Sequence, residues 1–149
     1  MILVDTSVWV DHFRRGNDRL RSLLGEERVL GHRFVLGELA CGNLRNRREI
    51  LTLLASLPQA PLAGHDEVLG FLESEKLHGK GVGWIDIHLL ASARIARSPI
   101  WTLDQRLART AVSFSIGYYG TNVTSTAPRM DTAGPVFGRP LRKGRTWPI

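Results

Sequence analysis

At 149 residues the chain is long enough for one domain with a substantial core, and its 43% apolar content is ordinary for a globular protein. No apolar run approaches the roughly 20 residues that a membrane helix needs, and the start shows no basic region leading into an apolar run and cleavage site. Cys41 is the lone cysteine, which excludes an intrachain disulfide and fits a reducing cytoplasm, while a formal net charge of +6 suits an anionic partner such as nucleic acid.

The charge is unevenly placed. Residues 1–111 carry 15 Lys+Arg against 13 Asp+Glu, net +2; residues 112–149 carry five basic residues against one acid, net +4. The first element is Met1-Ile2-Leu3-Val4, too short for a helix and apolar throughout, as in a buried strand of a parallel sheet. It stops on Asp5, followed by Thr6 and Ser7, and a carboxylate at the carboxyl end of such a strand lies where open α/β sheets bind ligands. A helix is predicted over Val8 to Phe13, which Asp5 or Ser7 would cap, and another over Arg19 to Glu26. Val29-Leu30-Gly31 reads as a second strand, and Phe34 to Leu44 as an apolar helix holding Glu38. Arg48 to Leu57 is a helix stopped by Pro58, and Gln59 to Ala63 a short third strand.

A helix opening at His65 or Asp66 carries Val68, Leu69, Leu72 and Leu77 on its apolar side and ends at Gly79. Gly79 to Gly83 is a glycine-rich loop without the Gly-Lys-Ser/Thr ending of a phosphate-binding loop. Trp84 to Arg97 is the most apolar helix, broken by Pro99, with Asp86 in its first turn. Ile100 to Leu103 is the next buried strand, Asp104 follows it directly, and Gln105 to Ala111 restarts a helix. Ser113 to Tyr119 reads as a last strand. The division expected is a folded domain over residues 1–120 and an irregular tail over 121–149, rich in Gly, Pro, Thr, Ser and Arg. Strands alternating with helices predict an α/β fold around a mostly parallel sheet.

Four acids stand apart from the rest. Asp5, Glu38, Asp86 and Asp104 are each isolated among apolar residues, whereas Glu67, Glu73 and Glu75 form a solvated helix face. Singly, Asp104 reads equally well as an N-cap, Asp86 as a favourable charge at a helix N-terminus and Glu38 as the wet side of a helix. Gathered in one place without Lys or Arg, they would repel one another, and a hard divalent cation with oxygen ligands, Mg²⁺ or Mn²⁺, removes that cost. The five histidines show no zinc-ligand spacing.

Val4-Asp5-Thr6-Ser7-Val8-Trp9-Val10 resembles the opening of PIN-domain ribonucleases, and the chain more closely resembles the VapC toxins of VapBC toxin–antitoxin pairs. The segments Gly31 to Leu39, Gly83 to Ala93 and Trp101 to Leu107 match, in order, those that carry the second, third and fourth family acids. The resemblance covers residues 1–111; residues 112–149 depart from the family's ending. It implies a three-layer α/β/α fold, Mg²⁺- or Mn²⁺-dependent endoribonuclease activity, a VapB-like antitoxin and a homodimer. Asp5, Glu38, Asp86 and Asp104 would be the catalytic, metal-centred acids, with Thr6, Ser7 and Thr102 as supporting hydrogen-bonders. Arg14, Arg15, Arg45, Arg47 and Arg48 are candidates to hold the RNA backbone, against their reading as solvated surface. Two other classes compete. One is an inactive module that binds RNA or protein. The other is a metal-dependent phosphatase, which the absence of a second Asp two positions after Asp5 disfavours.

Overall fold

The computed structural model describes residues 1–119; the predicted tail from 121 onward lies outside the described residues. The elements in chain order are β1 (Ile2–Val4), α1 (Thr6–Arg15), α2 (Asp18–Gly25), β2 (Val29–Leu30), α3 (Arg33–Cys41), α4 (Arg47–Ala55), α5 (His65–Ser74), α6 (Trp84–Ile95), β3 (Ile100–Trp101) and α7 (Gln105–Ser113).

β1 is the centre of a parallel sheet of order β2-β1-β3, pairing Ile2 with Val29, Leu3 with Leu30 and Ile100, and Val4 with Trp101. All three β1 residues are buried, as a strand covered by helices on both faces requires. Helices supply the rest of the core, with Val8, Trp9, Leu20, Leu23, Val68, Leu89, Leu90 and Leu107 each at most 1% exposed.

Two predicted strands shrink to single parallel bridges. Gly31 pairs with Gln59, and Ile100 with Gly117, so the sheet gains an extra position at each edge without a further strand there. At Gln59 the cause is Pro58 on one side and Pro61 on the other, neither of which has an N–H to continue a ladder. The second bridge is made by Ile100 N donating to Ile116 O (2.7 Å) and Tyr118 N donating to Ile100 O (2.9 Å). The helix predicted to reach Gly79 ends at Ser74, because Lys76 turns left-handed (φ 51°) and sends Leu77 back into the core, where it is 1% exposed.

That ending recurs. Glu27, Lys76, Arg97 and Ser115 all have φ between 48° and 57°, and each is followed by a backbone N–H that reaches five residues back. The bonds are Arg28 to Leu23, Leu77 to Leu72, Ser98 to Ala93 and Ile116 to Ala111, at 2.9 to 3.0 Å. This is the Schellman closure, and it occurs here without glycine. After α2 and α6 it redirects the chain into β2 and β3, which places the strand ends that carry the site.

Candidate active site

Asp5 lies one residue beyond β1. Its backbone N–H still pairs with Trp101 O (2.9 Å), so the carboxylate is held at the sheet edge while capping α1. Oδ1 accepts from Thr6 N (2.7 Å); Oδ2 accepts from the Ser7 hydroxyl (2.6 Å) and the Thr102 hydroxyl (2.8 Å). Each hydroxyl also accepts a backbone donor from the loop after β3: Ser7 Oγ from Leu103 N (2.9 Å) and Thr102 Oγ1 from Asp104 N (3.0 Å). With their single protons aimed at Asp5 and a lone pair on an amide, Ser7 and Thr102 lock the β1–α1 corner to the β3–α7 corner. Asp5 is 6% exposed, and this many donors to one buried carboxylate satisfy its charge. Thr6, the third supporting residue, donates its hydroxyl to Glu38 Oε2 instead.

The other three acids share one arrangement. Asp104 caps α7, with Oδ1 accepting from Arg106 N (2.8 Å) and Leu107 N (2.9 Å). Asp86, in the first turn of α6, turns Oδ2 back onto Gly83 N (2.8 Å). Glu38 uses Oε2 for Thr6. Among the described residues the second oxygen of each takes no protein donor. Capping by Asp86 and Asp104 thus uses one oxygen of each and leaves the other without a protein donor among the described residues.

Asp86 feels the other three acids. Burial, first, and the charges of Asp5, Asp104 and Glu38 push the Asp86 carboxyl up from its ordinary value, against the lowering effect of the Gly83 amide. The charged partners of the described ion pairs are Asp11, Asp18, Glu26 and Glu75, so no Lys or Arg neutralises any of the four. Among the described residues no three His, Cys, Asp or Glu side chains close into a compact ligand shell. An all-oxygen, uncompensated and open donor set fits Mg²⁺ or Mn²⁺, which keep several waters, and does not fit zinc.

The arginines fall into two groups. Arg14 and Arg15 end α1, while Arg47 and Arg48 open α4 with Arg45 just before its cap, and both helices pack on α3, the helix of Glu38. All five are exposed. Arg15 pairs with Asp11, and Arg47 donates to Ala40 O (2.6 Å), so two of the five are partly committed to local structure. The histidines, patternless in the sequence, include one with a defined place: His32 caps α3 by accepting from Phe34 N (3.1 Å), and its other nitrogen lies 3.0 Å from Ser92 Oγ in α6. The cap position just before an apolar helix was a legible signal; the partner 60 residues away was not.

The model of the PIN domain matches residues 2–113, a span that contains all four acids and every element from β1 to α7. The chain belongs to the PIN-domain family. Within it, this PIN domain is of the VapC type: Ribonuclease VapC32 from two strains of Mycobacterium tuberculosis is 45% identical over 108 residues, covering 72% of this chain and 87% of the relative. The crystal structure of FitAcB from Neisseria gonorrhoeae matches with a TM-score of 0.55 at 24% identity, covering 75% of this chain and 94% of that one. That likeness carries the fold, and the three-layer α/β/α PIN arrangement expected from the sequence is the one found.

Proposed function

We propose that this PIN domain is a metal-dependent endoribonuclease toxin that hydrolyses RNA phosphodiester bonds and is neutralised by a cognate antitoxin. The observation that carries the reading is the group of four acids, uncompensated by any described cation, with Asp86, Asp104 and Glu38 each keeping one oxygen free of protein donors. The 45% identity to a protein named as a ribonuclease supports RNA as the substrate.

In this reading the free oxygens of Glu38, Asp86 and Asp104, with Asp5 behind them, hold Mg²⁺ or Mn²⁺. The bound ion supplies an activated water and charge neutralisation at the phosphate. Asp5 is oriented by Ser7 and Thr102, so it stays in place whether or not a cation is bound. Glu38 is exposed and is steered by Thr6. Arg14, Arg45 and Arg48, exposed and without ion pairs among the described residues, supply positive charge for the RNA backbone. An antitoxin that silences such a cleft is expected to insert an Arg, whose fork matches paired carboxylates. A cytoplasmic homodimer completes the proposal. No helix among the described residues is long and apolar enough to cross a membrane.

The test is cleavage of a mixed RNA substrate with Mg²⁺ or Mn²⁺, with EDTA, and with Asp86→Asn. Cleavage that needs the metal and Asp86 supports the reading. RNA binding without cleavage would favour the non-catalytic module, and a trapped phospho-aspartate would favour the phosphatase.

A further inference from the structure

Glu38 and Asp86 belong to different helices, α3 and α6, and a cation shared between them needs a fixed spacing. The contacts between these helices run in opposite order along the two elements. His32 meets Ser92, the Phe34 ring packs edge-on to His88 (4.7 Å between centroids), and Glu38 lies within reach of the Asp86 charge. Side chains rather than close backbone packing bridge the two helices, and the His32–Ser92 contact sits at the end away from the acids.

That contact is well defined. His32 is 2% exposed and Ser92 is fully buried. Burial pushes the His32 imidazole down to about 4, so the ring is neutral in ordinary buffers. A neutral ring whose Nδ1 accepts from Phe34 N carries its proton on Nε2, and this N–H donates to Ser92 Oγ. Among the described residues this is the hydrogen bond that joins α3 to α6. The strongest packing of α3 is against α4 and α1, and that of α6 against α5 and β3, so each helix is otherwise registered on different neighbours.

We propose that the His32–Ser92 hydrogen bond is a positioning clamp that sets the spacing of Glu38 and Asp86, and thereby the affinity of the acid site for its divalent cation. The proposal rests on the metal-site reading above. His32 and Ser92 touch neither metal nor substrate; they act through the two helices.

The test is calorimetric titration of Mn²⁺ into the full-length chain, alongside thermal melts without metal and cleavage assays across Mn²⁺ concentration. Three variants are compared with wild type. Ser92→Ala removes the acceptor and keeps a good helix former; His32→Asn keeps a capping side chain but is too short to reach Ser92; the third combines both. The expected result is a cooperative melt for Ser92→Ala, Mn²⁺ binding weakened about tenfold, the lower end of what losing outer support costs a metal site, and kcat largely recovered at saturating Mn²⁺. The double variant should bind Mn²⁺ no worse than His32→Asn alone, because one bond is lost once. Variants that melt earlier yet bind Mn²⁺ as wild type does would make the contact merely structural and overturn the clamp, as would additive losses in the double variant. A wild-type chain that takes up no Mn²⁺ would overturn the clamp together with the metal-site reading, and is distinguishable because it appears before any variant is compared.

Discussion

Asp86 caps α6 with one oxygen, and the metal-holding role proposed for it can be tested apart from that cap. One oxygen closes the start of α6 on Gly83 N; the other takes no protein donor among the described residues, and burial together with the charges of Asp5, Asp104 and Glu38 raises the carboxyl. Asp86→Asn keeps an oxygen for Gly83 and removes the repulsion. Without metal the variant is expected to melt at or above the wild-type temperature, within about 1 kcal/mol of stability, since Asn and Asp cap almost equally. It should lose both Mg²⁺-dependent cleavage and the metal-induced rise in melting temperature. Retained cleavage would remove Asp86 from the site. The histidines set a different residue-scale expectation. Burial holds His32 at about 4 in the folded chain, against 6.5 for an exposed imidazole, and lowers His12 and His88 as well. As pH falls below 6.5 the unfolded chain takes up protons that the folded one refuses, so stability is full above that value and declines toward pH 4. Melting temperatures measured from pH 7.5 to 4.5 should fall steadily below about 6.5; a flat profile would contradict the buried neutral state of His32.

At the scale of elements, the helix ends store strain and the corner after β3 stores order. Lys76 and Arg97 are exposed and left-handed, a conformation that costs a non-glycine residue about 1 kcal/mol or more. Lys76→Gly and Arg97→Gly are each expected to raise unfolding free energy by about 0.5–1 kcal/mol in urea, after allowing for the freer unfolded chain. A loss instead would mean that the Lys76 or Arg97 side chain contributes more than its backbone costs. The corner behaves oppositely. Thr102 donates to Asp5 and accepts from Asp104 N, so Thr102→Val, nearly the same shape, takes one of the two hydroxyl donors from the buried Asp5 Oδ2 and leaves Asp104 N without its acceptor. A loss of about 1–3 kcal/mol is expected, with cleavage falling further than stability explains because Asp5 and Asp104 lose their common link. Equal cleavage at temperatures where both proteins are folded would limit Thr102 to a structural role.

For the whole molecule, the core residues run from Ile2 to Ala111, and the family match ends at residue 113. All four acids and their hydroxyl supports lie inside that span. A chain ended after Tyr119 is therefore expected to keep the cooperative melt of the full protein and its metal-dependent cleavage. Its RNA binding should weaken with added salt less than that of the full chain, because residues 112–149 carry a net +4. A truncated chain that fails to fold would place essential packing beyond residue 119.

Sequence alone determined the parts that are local. A buried apolar run ending in Asp5, an isolated acid in the first turn of α6, and Asp104 between a strand and a helix are all readable within a few residues. Caps and periodicity are decided by neighbours along the chain. The end of α5 was not readable in the same way, because glycine is the usual signal for a left-handed closure and Lys76 makes it without one, whereas Pro99 marked the end of α6. The strands predicted around Gln59 and Gly117 carried enough apolar residues, but ladder length depends on what the partner strand offers, and each edge offered one bridge. Tertiary structure alone decided the rest. It paired Thr102 with Asp5 across 97 positions, Thr6 with Glu38 across 32 and His32 with Ser92 across 60. It also settled which carboxylate oxygens are consumed by capping and which stay free. Such pairings depend on where the packed helices and sheet return the chain, and no spacing within a single segment encodes that.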